Sequence, residues 1–424
     1  MNRTTPECES SRTADHGSRA TERTIFTDHR SPITDHLEIR RTPLINSLLG
    51  VDLGYPREIN LAIHPSDEML RYQTELYDGD GDRGLAGYLE SGRWAARMTE
   101  QVVAWRFGGS DAVEILDFAS GYGRVTRHLL RWLDRARLTV SDLMAPAVEF
   151  QRRAFGVDGV VSTPDPERLH IHRDFDVVQS ISLFSHLPEP LFRRWLRALW
   201  ACTRPGGLMI FSVHGASLLT GGCGGARFVY VPASENDVLD SEAYGSTWVT
   251  NGFVEEAIEN ELDAFSYRRL PRGLCGYQDV YVVAKEKDID LSGCDFDPGV
   301  EGYVDIVEFG PDFGLRCSGW AASIGRAHEI DSIDLLINDE IVGSAELGEP
   351  RPDVAAALGD HRLALAGWSL EAQLGPSISY GHDAAVLLAR SRGDRTILTM
   401  GCVHSLVAET TRRRLTALTA ESSR

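Results

Sequence analysis

From residue 112 to residue 285 the chain alternates between two hydrophobic rhythms. "AVEILDF", "RLTVSD", "DFDVVQSISLF" and "GGLMIFSVHG" are short apolar runs, the signature of buried strands. Between them, "GRVTRHLLRWL", "APAVEFQRRAF" and "EPLFRRWLRALWACT" place apolar residues every three or four positions, which predicts helices with one buried side. Strands alternating with helices predict an open, mostly parallel α/β sheet covered on both faces. "SYRRL" and "GYQDVYVVAKE" come last without a long helix between them, so the sheet is expected to finish in an antiparallel pair.

The flanks have other textures. Residues 1–40 are polar and aperiodic and are expected to be a disordered tail. Residues 41–110 read as helical. In "SGRWAARMTEQVVAW", Ala95, Met98, Val102 and Trp105 form one apolar stripe, with Ser91 as the expected N-cap. "YDGDGDRG" resembles a calcium loop but has Arg83 and Leu89 where that loop needs glycine and glutamate, so it reads as a turn before a helix. Residues 216–247, rich in glycine and polar residues, are too long for a plain connector and fit a lid or substrate loop. Residues 288–299 are acidic and turn-rich, a linker. Residues 300–405 carry short alternating runs with turn residues at Asn338-Asp339 and at Arg392-Gly393-Asp394, which predict an all-β sandwich. Residues 406–424 read as a tail with a frayed helix.

Composition narrows the classes. The chain has 424 residues, enough for two domains, and a net charge of −19. That charge disfavours a general binder of nucleic acid or anionic membrane; Arg152-Arg153 and Arg193-Arg194 read as solvated helix faces. No apolar run reaches the length of a membrane span, and the N-terminus lacks a signal-peptide core, so a cytoplasmic location is expected. Seven scattered cysteines show no zinc spacing and read as reduced thiols, with no metal site.

The chemistry concentrates in "EILDFASGYGRV", residues 114–125. Ligands of open α/β sheets bind beyond the carboxyl ends of the strands. Gly121 and Gly123 let backbone approach a ligand closely, although two glycines alone are equally a tight turn. A dinucleotide fingerprint would need a third glycine where Thr126 stands. Asp117, at the strand end, suits a ligand with a positive amino group better than a pyrophosphate. Asp142 ends the second strand, where an acid can accept hydrogen bonds from ribose hydroxyls.

With "LTVSDLMAPAVEF", "FDVVQSISLFSHLP", "RPGGLMIFSVHG" and "GYQDVYVV", this stretch resembles the class I S-adenosylmethionine-dependent methyltransferases over about residues 60–285. The resemblance implies a Rossmann-like sheet and S-adenosyl-L-methionine as cofactor. It implies that Asp117, Ser120, Gly121 and Gly123 line the methionine end and that Asp142 holds the ribose. It also implies an acid, Asp165, near the adenine amine, and Ser182 in the segment that closes the cofactor pocket. In the same family a segment before the first strand folds over the cofactor; Tyr88, Ser91 and Gly92 are candidates there, or else parts of a buried helix cap. The β-rich half, through "SGWA", "NDEIVGSA", "RPDVAAALGD" and "GWSLEAQL", resembles an accessory domain found beside glycosyltransferases and methyltransferases of bacterial polysaccharide systems.

His186 and His214 follow the fourth and fifth strands on the ligand edge. Either can act as general base, or serve as a cap or pocket wall. Trp195 and Trp200 read as helix core, Trp320 and Trp368 as sandwich core rather than sugar platforms. The expectation is methyl transfer to an oxygen or nitrogen of a small or sugar-like acceptor, with the sandwich meeting a carbohydrate or protein partner. The alternatives are an NAD(P)-dependent oxidoreductase and a non-catalytic scaffold.

Overall fold

The computed structural model describes residues 26–27, 37–39, 41–50, 57–219, 224–233, 242–297, 299–310, 312–324, 329–375, 378–379, 381, 383–391 and 394–422. Most of the expected N-terminal tail, and Arg392 and Gly393 of the third expected turn, lie outside the described residues.

Before the sheet come α1 (Pro43–Gly50), α2 (Glu68–Leu76) and α3 (Gly81–Phe107). Helix α3 starts ten residues before the expected Ser91. Asp80 caps it, accepting from the Arg83 N–H at 3.1 Å, and Gly108 ends it at φ 75°. Ser91 is therefore interior, its hydroxyl donating back to the Tyr88 carbonyl at 3.1 Å.

The main sheet contains β1 (Ile115–Phe118), β2 (Leu138–Asp142), β3 (Asp158–Val161), β4 (Phe175–Ser180), β5 (Thr203–Gly215), β6 (Ser266–Leu274) and β7 (Gln278–Ala284). Their order is β6-β7-β5-β4-β1-β2-β3. All run parallel except β7, which is antiparallel to both neighbours, so the expected antiparallel finish is present. All four residues of β1 are buried, as a strand covered on both faces must be. Ile115, Val177 and Ile210 share a core with α3 and α4 (Ala145–Phe155). Leu116, Val178 and Met209 face the other way, onto α5 (Glu189–Ala201) and α6 (Asn251–Glu261).

Three elements differ from the sequence expectation. The helix expected over "GRVTRHLLRWL" is one turn, Thr126–Leu129, set between other turns. Helix α6, capped by the Thr250 hydroxyl, is additional. The long loop contains two strands, Phe228–Val231 and Ser246–Val249, and the second extends the sheet beside the end of β5.

The C-terminal half is two antiparallel sheets. One is β8 (Gly299–Phe309), β9 (Gly314–Ile324) and β12 (Gly367–Gln373). The other is β10 (Ser332–Ile337), β11 (Glu340–Ala345), β13 (Ala384–Ser391) and β14 (Asp394–Cys402), in the order β11-β10-β13-β14. Asn338 and Asp339, at φ 47° and 76°, make the expected tight turn between β10 and β11. Trp368 is fully buried between the sheets with Cys317, Leu335 and Leu387. Helix α7 (Val403–Ser422) begins inside this core through Val403 and Leu406.

The two halves share a core. Leu336, Val386, Leu388 and Met400 of the four-stranded sheet pack with Leu44, Ile45 and Leu48 of α1 and Leu85, Ala86 and Leu89 of α3. At the edge of this seam Glu90 pairs with Arg395 at 3.3 Å and with Arg93 at 3.1 Å. Burial pushes the Glu90 carboxyl up, but the two guanidiniums outweigh it and hold it below its usual range.

Candidate cofactor site

The strand order reverses between β1 and β4, and a cavity of about 460 Å³ opens beyond their carboxyl ends. Residues 117–122, Asp142, Leu143, Met144 and Ser162–Pro164 line one side. Ile181, Ser182, Leu183, His186, Leu187, Leu191, Trp195 and Tyr244 line the other. Helix α2 closes it with Asp67, Glu68, Arg71, Tyr72 and Glu75.

The floor is the turn after β1. Gly121 has φ 54°, and a Cβ built there would meet nothing within 4 Å, so the backbone opens directly onto the cavity. Its N–H donates to Asp142 Oδ2 at 2.8 Å, while Asp142 Oδ1 accepts from the Met144 N–H at 2.9 Å. Each carboxylate oxygen keeps further lone-pair capacity. Burial raises the Asp142 carboxyl, and the Met144 and Gly121 N–H groups counter it. Ser120 also lines the cavity, its hydroxyl accepting from Gln151 at 2.8 Å.

Gly123 does different work. It lies at φ 85°, and a Cβ there would meet Phe155 Cε2 at 2.3 Å, so its smallness seats α4 against the turn. It does not line the cavity.

Asp117 is held from within the protein. Thr126 Oγ1 donates to its Oδ2 at 2.8 Å, and Gln179 Nε2 to its Oδ1 at 2.9 Å. Burial drives its carboxyl up to about 6 against those hydrogen bonds. Thr126, which breaks the dinucleotide fingerprint, is thus a buried support for the acid. Asp165 is a correction. Its carboxylate pairs with Arg194 and caps a short turn at Glu167, and it is the preceding Ser162, Thr163 and Pro164 that reach the cavity.

The covering helix was not legible as a site. Arg127, fully buried, donates to the carbonyls of Asn60 at 3.1 Å and Ala62 at 2.9 Å and to the Tyr88 hydroxyl at 3.2 Å. That hydroxyl donates to Asp67 Oδ2 at 2.6 Å, and Asp67 Oδ1 caps α2 through the N–H of Met69 and of Leu70. Tyr88 is fully buried, so it positions the lid instead of packing on a ligand. Gly92 lets α3 approach the turn, since a Cβ there would lie 2.3 Å from the Arg124 carbonyl.

The two histidines part company. His186 lines the cavity, stacks on Tyr244 with centroids 4.7 Å apart, and places Nδ1 2.8 Å from the Gly245 carbonyl. A carbonyl only accepts, so Nδ1 carries the proton and Nε2 is the basic nitrogen. Burial lowers the His186 pKa, partly offset by that carbonyl, which keeps the ring neutral at pH 7. His214 does not line the cavity. Its Nε2 lies 3.1 Å from the Gln278 amide nitrogen, and burial together with His186 lowers its pKa to about 4. Gln278 Oε1 accepts from Ser182 Oγ at 3.3 Å, and the His214 ring meets that of His186 edge-on with centroids 6.0 Å apart, so His214 reaches the site through these neighbours. Ser182 itself sits at φ 64°, its N–H held by the Ser212 hydroxyl at 2.8 Å.

Residues 115–207 match the family described as a methyltransferase domain. The matched stretch runs from β1 into β5 and builds the floor and far wall of the cavity. The sheet is Rossmann-like, mostly parallel with its strand order reversing between β1 and β4. Among curated proteins nothing matches. Among solved structures the chain is similar to an S-adenosylmethionine-dependent methyltransferase from Clostridium acetobutylicum, at 14% identity over 46% of this chain and 92% of that one, with a TM-score of 0.34. It is also similar to the DhpI–SAH complex, at 17% identity over 52% and 96%, TM-score 0.35. A third is the sugar N-methyltransferase KedS8 from Streptoalloteichus, at 13% identity over 46% and 88%, TM-score 0.35.

The residues present fit S-adenosylmethionine. The floor is bare backbone at Gly121, an acid with spare acceptor capacity stands at the end of β2, and the helical turn after the glycines is four residues long. A turn so short, beside the carboxylates of Asp67, Asp117 and Asp142, is poorly made for a pyrophosphate.

Proposed function

We propose that the protein is an S-adenosylmethionine-dependent methyltransferase acting on an oxygen or nitrogen of a small-molecule acceptor. The observation that carries this reading is the Gly121–Asp142 pair on the floor of a largely apolar cavity covered by α2. When bound, the cofactor supplies an electrophilic methyl group on a sulfonium. Asp142 would accept from the ribose hydroxyls, the turn 119–122 would carry the amino-acid end, and Leu143, Met144 and Ser162–Pro164 would enclose the base. Helix α2 would exclude water from above. His186 Nε2 would take the acceptor's proton, an effect typically worth about 10²–10⁴-fold. Much of the remaining acceleration would come from alignment in a closed site.

Against the oxidoreductase alternative stand Thr126 and the four-residue helical turn. Against a vestigial scaffold stands a cavity with its floor, lid and polar groups in place. A cytoplasmic setting is part of the proposal: the described cysteines, Cys202, Cys275, Cys294, Cys317 and Cys402, are all free thiols, and no described helix is long and apolar enough to cross a membrane. A sugar-like acceptor, and a carbohydrate or protein partner for the β-rich half, rest on the resemblance of that half alone. Incubation with methyl-labelled cofactor and a cell extract tests the reading. Label in a discrete product supports it; label that stays wholly on the cofactor across extracts and pH values counts against it.

A further inference from the structure

We propose that Arg124 is the residue with which this cavity grips a carboxylate; the assignment rests on the cofactor reading above. Arg124 directly follows the glycine turn, lines the cavity and is only 9% exposed. Four other described arginines are as deeply buried, and each is partnered. Arg93 pairs with Glu90, Arg395 donates to the Leu48 carbonyl, Arg127 to those of Asn60 and Ala62, and Arg131 to that of Arg57. Among the described residues Arg124 alone of this set makes no hydrogen bond and no ion pair. Nor are its nitrogens among the buried atoms sealed off without a partner, so they reach the open space of the cavity.

A guanidinium so placed is costly unless something completes it. The nearby acids do not. Asp117 and Asp67 both feel the Arg124 charge, yet Asp117 spends its oxygens on Thr126 and Gln179, and Asp67 spends its own on Tyr88 and the start of α2. The missing partner is an anion brought by a ligand. Its charge is limited by the surroundings, because Asp67, Asp117 and Asp142 line the same cavity. A dianionic phosphate would meet these acids together with Glu68 and Glu75. A single carboxylate can take the fork of Arg124 bidentately. Two sources carry that chemistry: the amino-acid end of the cofactor, or an acid group on the acceptor.

The experiment uses the full chain and Arg124→Met, which removes the charge, keeps the stem and breaks no bond in the structure. Calorimetric titration compares S-adenosylhomocysteine with 5′-methylthioadenosine, a related nucleoside without the carboxylate. A thermal shift then measures added benzoate on protein saturated with S-adenosylhomocysteine. If the cofactor supplies the carboxylate, the variant loses about 10- to 100-fold in affinity for S-adenosylhomocysteine and nothing for methylthioadenosine. If the acceptor supplies it, both nucleosides bind as in the wild type, and benzoate stabilises the wild type only. Arg124→Lys should recover part of either loss, and it carries the test if the methionine variant does not fold. Wild-type behaviour of the variant in all three measurements overturns the proposal. A wild type that binds neither nucleoside overturns the cofactor reading instead, and benzoate on the ligand-free protein then decides the role of Arg124 by the same comparison.

Discussion

The Gly121 N–H donates to Asp142 Oδ2 at 2.8 Å, joining the turn after β1 to the end of β2. One carboxylate thereby fixes the cavity floor and lines the cavity. Asp142→Ala should cost the fold about 1–3 kcal/mol, because the Gly121 and Met144 N–H groups lose their acceptor. It should also weaken S-adenosylhomocysteine binding by about 10- to 100-fold. Urea melts and calorimetric titration read the two effects separately. Loss of stability with unchanged affinity would leave Asp142 a structural residue only.

Asp117 gives a pH signature. Its carboxyl rises from the usual 3.8 to about 6, chiefly through burial. Between those values the folded protein holds a proton that the unfolded chain releases. The contribution of this group is therefore full below about pH 4 and is lost as the pH rises through 6, by roughly 3 kcal/mol. Asp67 and Asp142 are shifted the same way, so the diagnostic quantity is the difference between wild type and Asp117→Asn. The variant should flatten the fall between pH 4 and pH 6; parallel curves would show that Asp117 titrates normally.

The histidines should separate kinetically. His186→Ala should slow label transfer by about 10²–10⁴-fold with cofactor affinity unchanged. His214→Ala, acting through Gln278 and Ser182, should have the smaller effect. Equal losses in both variants would contradict the assignment of the base to His186.

The shared core predicts joint unfolding. Leu388→Ala empties a fully buried position in the seam and should cost about 2–5 kcal/mol. Scanning calorimetry should show one transition moving to lower temperature as a whole. A β-rich half that melts alone, leaving the other transition in place, would contradict it. A fragment ending near residue 290 would expose the apolar faces of α1 and α3 and should aggregate.

What the sequence made legible was local. β1 is apolar apart from Asp117, β2 alternates Leu138 and Val140 with Thr139 and Ser141, and α4 spans the periodic stretch "APAVEFQRRAF". The Asn338-Asp339 turn follows from residues that tolerate positive φ. What stayed hidden depends on contacts between distant segments. Nothing near Tyr88 announces that its hydroxyl joins Arg127 to the cap of α2. Gly121 and Gly123 look alike in sequence, and only their neighbours, open cavity for one and Phe155 for the other, tell them apart. The family resemblance implies a place near the adenine for Asp165, but Arg194 on α5 takes its carboxylate. That Leu388 shares a core with Leu85 and Leu89, some 300 residues away, has no local signal at all.

The most direct test of the central claim is a calorimetric titration of S-adenosylmethionine and of NAD into wild type and Gly121→Val. Gly121 opens onto the cavity at positive φ, so a branched side chain there would fill the ligand's space. The account predicts that the wild type binds S-adenosylmethionine and not NAD, and that the variant, folded by circular dichroism, binds neither. A wild type indifferent to S-adenosylmethionine, or a variant that binds it with undiminished affinity, would contradict it.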